Sequence, residues 1–226
     1  MRARGVIVAI DGPAGAGKST LSRAVAERLG YTLVDTGALY RAVALCAQRE
    51  GVAWEDGPGL GALARRLRLA FVDGALEVDG ERLGDALRTS EIGTGASRVS
   101  THREVREALL GVQREMGREG GVVLEGRDIG TVVYPDAEVK VFLVASDEER
   151  ARRRLAELTA RGEDATLAQV LDDIRARDRR DEERAVAPLR MAPGAHRLDT
   201  TGRGIDELVE ELVALVRSRV AAATPS

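Results

Sequence analysis

A glycine-rich loop near the start of the chain constrains the fold more than any other feature of the sequence. Residues Gly12 to Ser19 match the pattern G-x-x-x-x-G-K-[ST]. The apolar run before them, residues 6–10, is typical of a strand buried on both faces of a parallel sheet. After them, apolar residues recur at helical spacing up to Leu29. A strand, this loop and a helix in that order predict a binding site for the phosphates of a nucleoside triphosphate.

The chemistry of this loop predicts ATP and Mg²⁺ as ligands. Its glycines let backbone N–H groups turn inward around phosphate oxygens, and the following helix adds its positive dipole end. We expect Lys18 to reach the β- and γ-phosphates and the hydroxyl of Ser19 to bind Mg²⁺. A turn that binds no nucleotide is the alternative, and the match at every fixed position weighs against it. The residues predicted to hold the nucleotide are Gly12, Pro13, Ala14, Gly15, Ala16, Gly17, Lys18, Ser19 and Thr20.

Strand-like and helix-like segments alternate along most of the chain. Strands are predicted at residues 32–34, 122–125, 139–145 and 197–199, and helices lie between and after them. In the middle, segments around Asp73-Gly74 and Asp79-Gly80 read as antiparallel hairpins. We therefore predict an α/β fold with a parallel-sheet core flanked by helices. The 226 residues form one domain, with a mixed α/β insertion at about residues 57–100 and expected fraying at 221–226.

Composition narrows the classes of partner. The net charge of −3 and the pI near 5.6 disfavour a general nucleic-acid binder. No stretch approaches the roughly 18 apolar residues that span a bilayer, and the first residues lack the pattern of a secretion signal. The single cysteine, Cys46, excludes an internal disulfide and shares a predicted helical face with Leu39 and Val43, so we expect it in the core. These observations predict a cytoplasmic protein without a membrane or nucleic-acid partner.

The absence of asparagine limits what the triphosphate is used for. GTPases of this class read their base with an Asn-Lys-x-Asp motif, which this chain cannot supply. Motor and helicase ATPases need more domains. A small chain of this type is suited to transferring the γ-phosphoryl group to a second small molecule, and such a reaction needs arginines to neutralise charge. A non-catalytic nucleotide switch or binding protein is the alternative from another class.

Charged residues cluster where a ligand of a parallel sheet is expected. Glu125, Arg127 and Asp128 directly follow a predicted buried strand, and ligands gather at the carboxyl ends of such strands. Asp35 and Arg41 follow another strand. Helix capping by Asp35 or Thr36 is the alternative for that segment. Arginines at positions 150 and 152–154 suit a mobile segment that closes over phosphates, unless they only pair on a solvated helix face.

A helix predicted from Thr166 carries an apolar stripe that becomes charged. Val170 and Ile174 begin the stripe, and the same spacing continues to Arg177, Asp181 and Arg184. This change predicts a helix that runs from the core into a polar pocket. An exposed ion pair between Arg177 and Asp181 is the alternative.

Taken together, these segments resemble the bacterial cytidylate kinases, a branch of the nucleoside monophosphate kinases. The resemblance covers residues 10 to about 190 in family order, and the ordered set is far more specific than any one motif. The matching segments are GPAGAGKST, DTGALYR, LRTSEIGTGASRVS, VREALL, GRDIGTVVYPDA, KVFLVAS and RDRRDEERAVAPL.

The resemblance implies an ATP-dependent transfer to CMP or dCMP that yields CDP or dCDP. It implies that the 57–100 insertion binds the acceptor and that residues 152–165 form a lid containing Arg154. Glu125 stands where aspartate is more frequent in the family, and Thr36 where serine is frequent. Acceptors such as UMP or shikimate stay open as alternatives, and a monomer is expected.

The resemblance also implies roles for particular residues. Ser97, Arg106 and Asp128 would read cytosine, and Arg177 and Asp181 would hold the sugar hydroxyls. The acceptor phosphate would bind to a set of arginines. These are Arg41, Arg127 and Arg184. Thr36 and Tyr40 complete the acceptor site, and Lys18, Arg127, Arg184 and Arg154 are the expected catalytic residues.

Overall fold

The computed structural model describes residues 4–72 and 74–223, and within these ranges the chain forms eight strands and eight α-helices. The strands are β1 (Ile7–Asp11), β2 (Thr32–Asp35), β3 (Leu69–Val72), β4 (Ala75–Val78), β5 (Glu81–Arg82), β6 (Val122–Gly126), β7 (Val139–Val144) and β8 (His196–Asp199). The helices are α1 (Lys18–Leu29), α2 (Thr36–Glu50), α3 (Gly57–Arg66), α4 (Ser90–Val99), α5 (Arg103–Gly117), α6 (Asp147–Ala160), α7 (Leu167–Glu183) and α8 (Ile205–Ala223).

The main sheet has five parallel strands in the order β2-β6-β1-β7-β8. Every residue of β1 and β6 is buried, as the continuous apolar runs in the sequence predict for central parallel strands. The register pairs Asp35 with Glu125 and Asp11 with Gly126, so the carboxyl ends of β2, β6 and β1 lie side by side. The predicted parallel-sheet core is confirmed, and the charged segments after these strands share one edge.

Helices cover both faces of this sheet. On one face, α1 and α8 pack against β1 and β7 around Val8, Leu143 and Leu212. On the other face, Ile7 and Leu124 pack against a π-helical turn at Ile129–Val133. Cys46 on α2 is buried, as predicted from its helical face. No helix within the described ranges is long and apolar enough to cross a membrane.

A second, three-stranded sheet holds the antiparallel strands β3, β4 and β5. The hairpin between β3 and β4 pairs Val72 with Ala75, and Asp73 of its predicted turn lies outside the described residues. Asp79 has a φ of 54° and Gly80 a φ of 87°, the left-handed backbone that such turns require. A short 3₁₀ helix, Gly84–Arg88, and helix α4 follow the sheet, with α4 packed on α2.

The two ends of the chain fall partly outside the described ranges. Residues 1–3, which enter the sequence argument about secretion, and residues 224–226 are not described. Helix α8 continues through Ala223, so the fraying predicted from residue 221 is wrong for residues 221–223.

Candidate functional site

The glycine loop joins β1 to α1, and its backbone needs glycine at several positions. Gly12, Gly15 and Gly17 have φ angles of 150°, 75° and 87°, which residues with a side chain rarely adopt. A Cβ on Gly12 would lie 2.4 Å from the carbonyl oxygen of Leu143. The loop therefore wraps tightly before α1 begins at Lys18, and the first N–H groups of that helix are available to an anion.

Lys18 is folded back over this loop. Its Nζ donates to the carbonyl oxygens of Gly12 at 2.8 Å and Pro13 at 2.6 Å. Burial, and next the charge of Arg127, hold the pKa of Lys18 well below its usual value. A polyanion bound in the loop would favour the charged ammonium group. This lysine is therefore placed to bind phosphate rather than to serve as a solvated surface charge.

Ser19 and Glu125 place two oxygen ligands between the loop and the end of β6. The Ser19 hydroxyl donates to Glu125 Oε2 at 3.0 Å. Burial, and next the charge of Asp35, raise the pKa of Glu125 to about 7. Hydroxyl and carboxylate oxygens suit Mg²⁺, which usually keeps waters and substrate phosphates as its other ligands. The donor set fits that ion, although the described residues contain no cluster of three or more His, Cys, Asp or Glu side chains for a metal.

Residues after β2 order the neighbouring edge of the sheet. Thr36 is buried and its hydroxyl donates to the carbonyl oxygen of Glu125 at 2.7 Å. Asp35 caps α2 by accepting from the N–H of Ala38 at 3.2 Å, which confirms the capping alternative for this residue. Asp35 also pairs with Arg41 at 2.5 Å. One carboxylate thus fixes both the start of α2 and the arginine one and a half turns later.

A buried pair of opposite charges lies across the cleft from the loop. Arg106 on α5 donates to Asp128, and both side chains are almost fully buried. The guanidinium of Arg106 also lies 5.4 Å from the centre of the Tyr40 ring. Ser97 on α4 accepts from Arg180 Nε at 3.3 Å. The predicted base-reading residues therefore come from three separate elements that converge on one region.

The charged end of α7 faces the same region. Asp181 is buried and accepts from Arg127 Nε at 3.1 Å, and Arg184 follows the end of α7 with its Nη1 3.8 Å from Asp181 Oδ1. Although burial raises it, the pKa of Asp181 is lowered overall by Arg127, Arg177 and Arg184. The alternative of an exposed Arg177–Asp181 pair is wrong, because Asp181 points into the interior.

Arg177 adds a positive charge that interacts with Asp181 and also with neighbouring arginines. Its Nε is buried without a hydrogen-bond partner among the described residues. Burial, and next the charge of Arg127, lower the pKa of this guanidinium to about 10. Several arginines crowded together give this part of the cleft a positive charge that suits an anion.

One continuous cleft of about 1570 Å³ brings these groups together. It includes most of the loop and every predicted acceptor residue, whereas Gly12, Pro13 and Ala16 of the loop do not line it. The predicted residues that line it are Ala14, Gly15, Gly17, Lys18, Ser19, Thr20, Thr36, Tyr40, Arg41, Ser97, Arg106, Arg127, Asp128, Arg154, Arg177, Asp181 and Arg184. A cleft of this size exceeds the usual range of roughly 300–1,000 Å³ for one small ligand.

Comparison with known proteins decides the family. The family model described as Cytidylate kinase matches residues 8–218. The chain belongs to the cytidylate kinase family. A curated protein named Cytidylate kinase from Citrifermentans bemidjiense is 52% identical over 98% of this chain and 97% of that protein. Another of the same name from Geobacter sp. (strain M21) is 53% identical with the same coverage.

A solved structure of a gluconokinase from Sinorhizobium meliloti 1021 is 17% identical, with a TM-score of 0.49 over 98% of this chain and 97% of that one. The assignment to the cytidylate kinase family rests on the sequence relatives.

The arginines of α6 in this family member have different surroundings from one another. Arg150 is buried, donates to the carbonyl oxygen of Ala14 at 3.0 Å and pairs with Asp178 at 2.5 Å. Arg152 is exposed and pairs only with Glu149. The alternative of a solvated helix face therefore holds for Arg152 and is wrong for Arg150. Arg150 instead connects α6 to α7 and to the glycine loop.

The end of α6 and the residues after it approach the start of α4 and the 3₁₀ helix before it. Arg154 pairs with Glu157 at 3.1 Å, and its Nη2 lies 3.5 Å from the hydroxyl of Ser90. That hydroxyl donates to Glu163 at 2.5 Å, and Arg161 donates to the carbonyl oxygen of Arg88 at 2.7 Å. Segment 154–163 is thus joined to the start of α4 across the cleft.

Two residues at the site were not singled out from the sequence. Arg180 bonds Ser97, as described above, and Asp11 accepts from the backbone N–H groups of Ile129 and Gly130 at 2.8 and 2.7 Å. The position of Asp11, a charged residue that ends a buried strand, was the available signal for this residue. Arg180 is exposed and stands among several arginines, so no feature of the sequence marked it as a site residue.

Proposed function

We propose that this member of the cytidylate kinase family transfers the γ-phosphoryl group of ATP to CMP and dCMP, giving ADP and CDP or dCDP. The observation that carries the proposal is the placement of the Arg106–Asp128 pair in the same cleft as the glycine loop. Cytosine presents an amino donor and ring acceptors, so a carboxylate and a guanidinium together match its edge. The names and the identities of the relatives support the same acceptor.

On the donor side, residues 12–20 would bind the phosphates of ATP through backbone N–H groups. The Lys18 ammonium group would move from the carbonyl oxygens of Gly12 and Pro13 to the β- and γ-phosphate oxygens. The Ser19 hydroxyl would hold Mg²⁺, with Glu125 ordering its waters. When bound, this ion would neutralise charge on the phosphates. None of these donor-side residues would act as an acid or a base. They would position the phosphates, and Lys18 would add positive charge.

On the acceptor side, Ser97, Arg106 and Asp128 would bind the base, with Tyr40 beneath the guanidinium of Arg106. Arg177 and Asp181 would hold the sugar hydroxyls. Asp181 is buried among arginines, a position in which its carboxylate stays ionised and accepts hydrogen bonds.

The acceptor phosphate would bind to a fork of guanidinium groups, whose planar donors suit its oxygens. The residues in this fork are Arg41, Arg127 and Arg184. Thr36 would order the adjacent backbone through Glu125.

In the chemical step, an anionic oxygen of the acceptor phosphate attacks the γ-phosphorus. The bond from that phosphorus to the bridging oxygen of ADP breaks, and the leaving oxygen carries the electron pair. No strong general base is needed, because the nucleophile is already ionised. Lys18, Arg127, Arg184 and Arg154 would stabilise the charge that spreads over the transferred group.

The proposal includes the organisation of the chain. Residues 1–226 would form one kinase domain, in which residues 57–100 bind the acceptor and residues 152–165 close as a lid. The bonds from Ser90 to Glu163 and from Arg161 to Arg88 support a lid that meets the acceptor-binding part. We infer a monomer located in the cytoplasm, with nucleotides as its only ligands besides Mg²⁺.

A coupled assay of ADP release tests this function across CMP, dCMP, UMP, AMP, GMP and shikimate. We expect CMP and dCMP to give the highest kcat/KM. A clear preference for UMP would contradict the assignment of Arg106 and Asp128 to cytosine. ATP binding without ADP release for any acceptor would instead support a non-catalytic switch.

A further inference from the structure

Asp11 is a buried carboxylate that the proposed reaction does not use. It ends β1, directly before the glycine loop, and is 3% exposed. Its Oδ1 accepts from the N–H of Ile129 at 2.8 Å and its Oδ2 from the N–H of Gly130 at 2.7 Å. These are adjacent backbone groups 118 and 119 residues away in sequence. Each oxygen of the carboxylate therefore has its own partner.

The two N–H groups belong to the first turn of the π-helical segment Ile129–Val133. The start of a helical segment leaves N–H groups without partners inside that segment, and burial makes such groups costly. The end of the turn bonds back to its own beginning, since Val132 and Val133 donate to the carbonyl oxygen of Asp128 at 2.9 and 3.2 Å. Asp11 thus supplies the missing acceptors at the start of the turn.

Burying this carboxylate is unfavourable, which argues for a specific role. Desolvation raises the pKa of Asp11 to about 6 even though two backbone N–H groups lower it. The negative charge of Asp128 contributes to this raised value. An apolar residue would fill the end of a central strand at lower cost, but it could not bond two adjacent N–H groups.

The turn that Asp11 holds begins directly after Arg127 and Asp128. Its other side is also constrained, because a Cβ on Gly130 would lie 3.1 Å from the Cβ of Ala192. The position of Asp128 relative to the glycine loop therefore depends on the bonds from Asp11. A shift of the turn would move Asp128 away from Arg106.

We propose that Asp11 is a positioning residue for the acceptor base, which orients the carboxylate of Asp128 by holding the N–H groups of Ile129 and Gly130. This inference rests on the proposed function, in which Asp128 reads cytosine. Asp11 itself would touch neither substrate. Since it joins the strand that precedes the donor loop to the turn that follows the base-reading residue Asp128, it sets the distance between the two parts of the cleft.

The variant Asp11→Asn tests the proposal, because asparagine keeps the shape but has only one accepting oxygen and turns an amino group toward one N–H. The readout is the ratio of kcat/KM for CMP to that for UMP, together with KM for ATP. We expect this ratio to fall about tenfold while KM for ATP stays within about twofold, since misplacement by about 1 Å can cost about 10²-fold. Val8→Ala, a core truncation in the same strand, is the control, and it should lower stability without changing the ratio.

An unchanged ratio in a folded Asp11→Asn protein would overturn the proposal and leave Asp11 a purely structural residue. If that variant does not fold, Gly130→Ala serves instead, because its Cβ would lie 3.1 Å from the Cβ of Ala192 and 3.4 Å from Asp11 Oδ2, which shifts the same turn while the carboxylate of Asp11 is kept. If Gly130→Ala lowers the CMP-to-UMP ratio and the double variant Gly130→Ala/Ala192→Gly restores it, the proposal is supported. An unchanged ratio in Gly130→Ala would overturn it. Failure of the wild-type protein to phosphorylate CMP would overturn the proposed function, which keeps the two failures distinct.

Discussion

The hydroxyl of Ser19 and the carboxylate of Glu125 meet at 3.0 Å between the glycine loop and the carboxyl end of β6. They are 106 residues apart in sequence, and the parallel pairing of β1 with β6 brings them together. Glu125 is held from its other side by Thr36, which donates to its carbonyl oxygen. The carboxylate is therefore aimed at the position where the proposed function places Mg²⁺.

This relationship predicts how Glu125 affects the use of Mg²⁺. Glu125→Gln keeps the length of the side chain but removes its charge, so we expect the Mg²⁺ concentration for half-maximal rate to rise about 10–100-fold. Glu125→Asp keeps the charge and shortens the reach, and its effect should be smaller. Titration of the rate with Mg²⁺ at fixed ATP measures both. Glu55→Gln, at an exposed side chain, is the control, and equal Mg²⁺ dependence in all three variants would contradict the assigned role.

Lys18→Ala should lower kcat by about 10²–10³ or more, because the variant lacks the buried ammonium group that would stabilise the γ-phosphoryl charge. The fold should persist, since among the described residues Lys18 donates to two carbonyl oxygens of its own loop. Initial rates at saturating ATP and CMP, together with the Tm, measure the two effects. Lys140→Ala changes the only other lysine of the chain and should keep its rate. A Lys18→Ala protein with near-normal turnover would remove the lysine from the mechanism.

Two arginines two positions apart on α6 should differ in their effect on stability. Arg150 is buried between Asp147, Asp178 and the carbonyl oxygen of Ala14, so Arg150→Ala leaves the largely buried carboxylate of Asp178 without its arginine, whereas the more exposed Asp147 keeps its pair with Arg175. We expect a loss of about 3–5 kcal/mol in the free energy of unfolding. Arg152→Ala removes one exposed pair with Glu149, which should cost less than about 1 kcal/mol. Urea denaturation measures both values. Equal losses would mean that the burial of Arg150 does not stabilise the contact of α6 with α7 and the glycine loop.

Local signals in the sequence predicted most of the fold. The apolar runs of β1 and β6 are long enough to indicate buried parallel strands, and the hairpin of β3 and β4 follows from alternation around a turn. Helix α6, Asp147–Ala160, lies after β7, where the sequence predicts a helix. Helices α3 and α4 were not predicted individually, because each has only ten residues and contains two or more glycines, which disfavour a helix in the sequence.

The candidate site was harder to predict, because its contacts join distant segments. The stripe on α7 correctly indicated that Asp181 lies in a polar interior, since helical spacing is local information. Spacing alone could not show that Arg150 meets Asp178 on another helix, or that Arg180 reaches Ser97. Such pairs depend on how helices pack, and a charged residue carries no sequence mark of the partner it will find.

The pKa of Asp11 predicts a pH-dependent contribution to stability with a definite sign. Its folded value of about 6 lies above the ordinary value of 3.8, so the folded protein binds the proton more tightly than the unfolded chain does. The resulting stabilisation is fully present below about pH 4 and is lost as the pH rises through about 6, up to about 3 kcal/mol in total. Between about pH 5 and about pH 8 the loss should be about 1 kcal/mol.

The difference in unfolding free energy between the wild-type protein and Asp11→Asn isolates this contribution. Both proteins carry the same charges around position 11, namely Lys18, Asp128 and Lys140 on β7, so their own titration largely cancels. Urea denaturation at several pH values should show the stability advantage of wild type over the variant shrinking as the pH rises. An advantage that is constant or grows with pH would mean that Asp11 is ionised at least as easily in the folded protein as in the unfolded chain. The two backbone N–H bonds would then outweigh its burial.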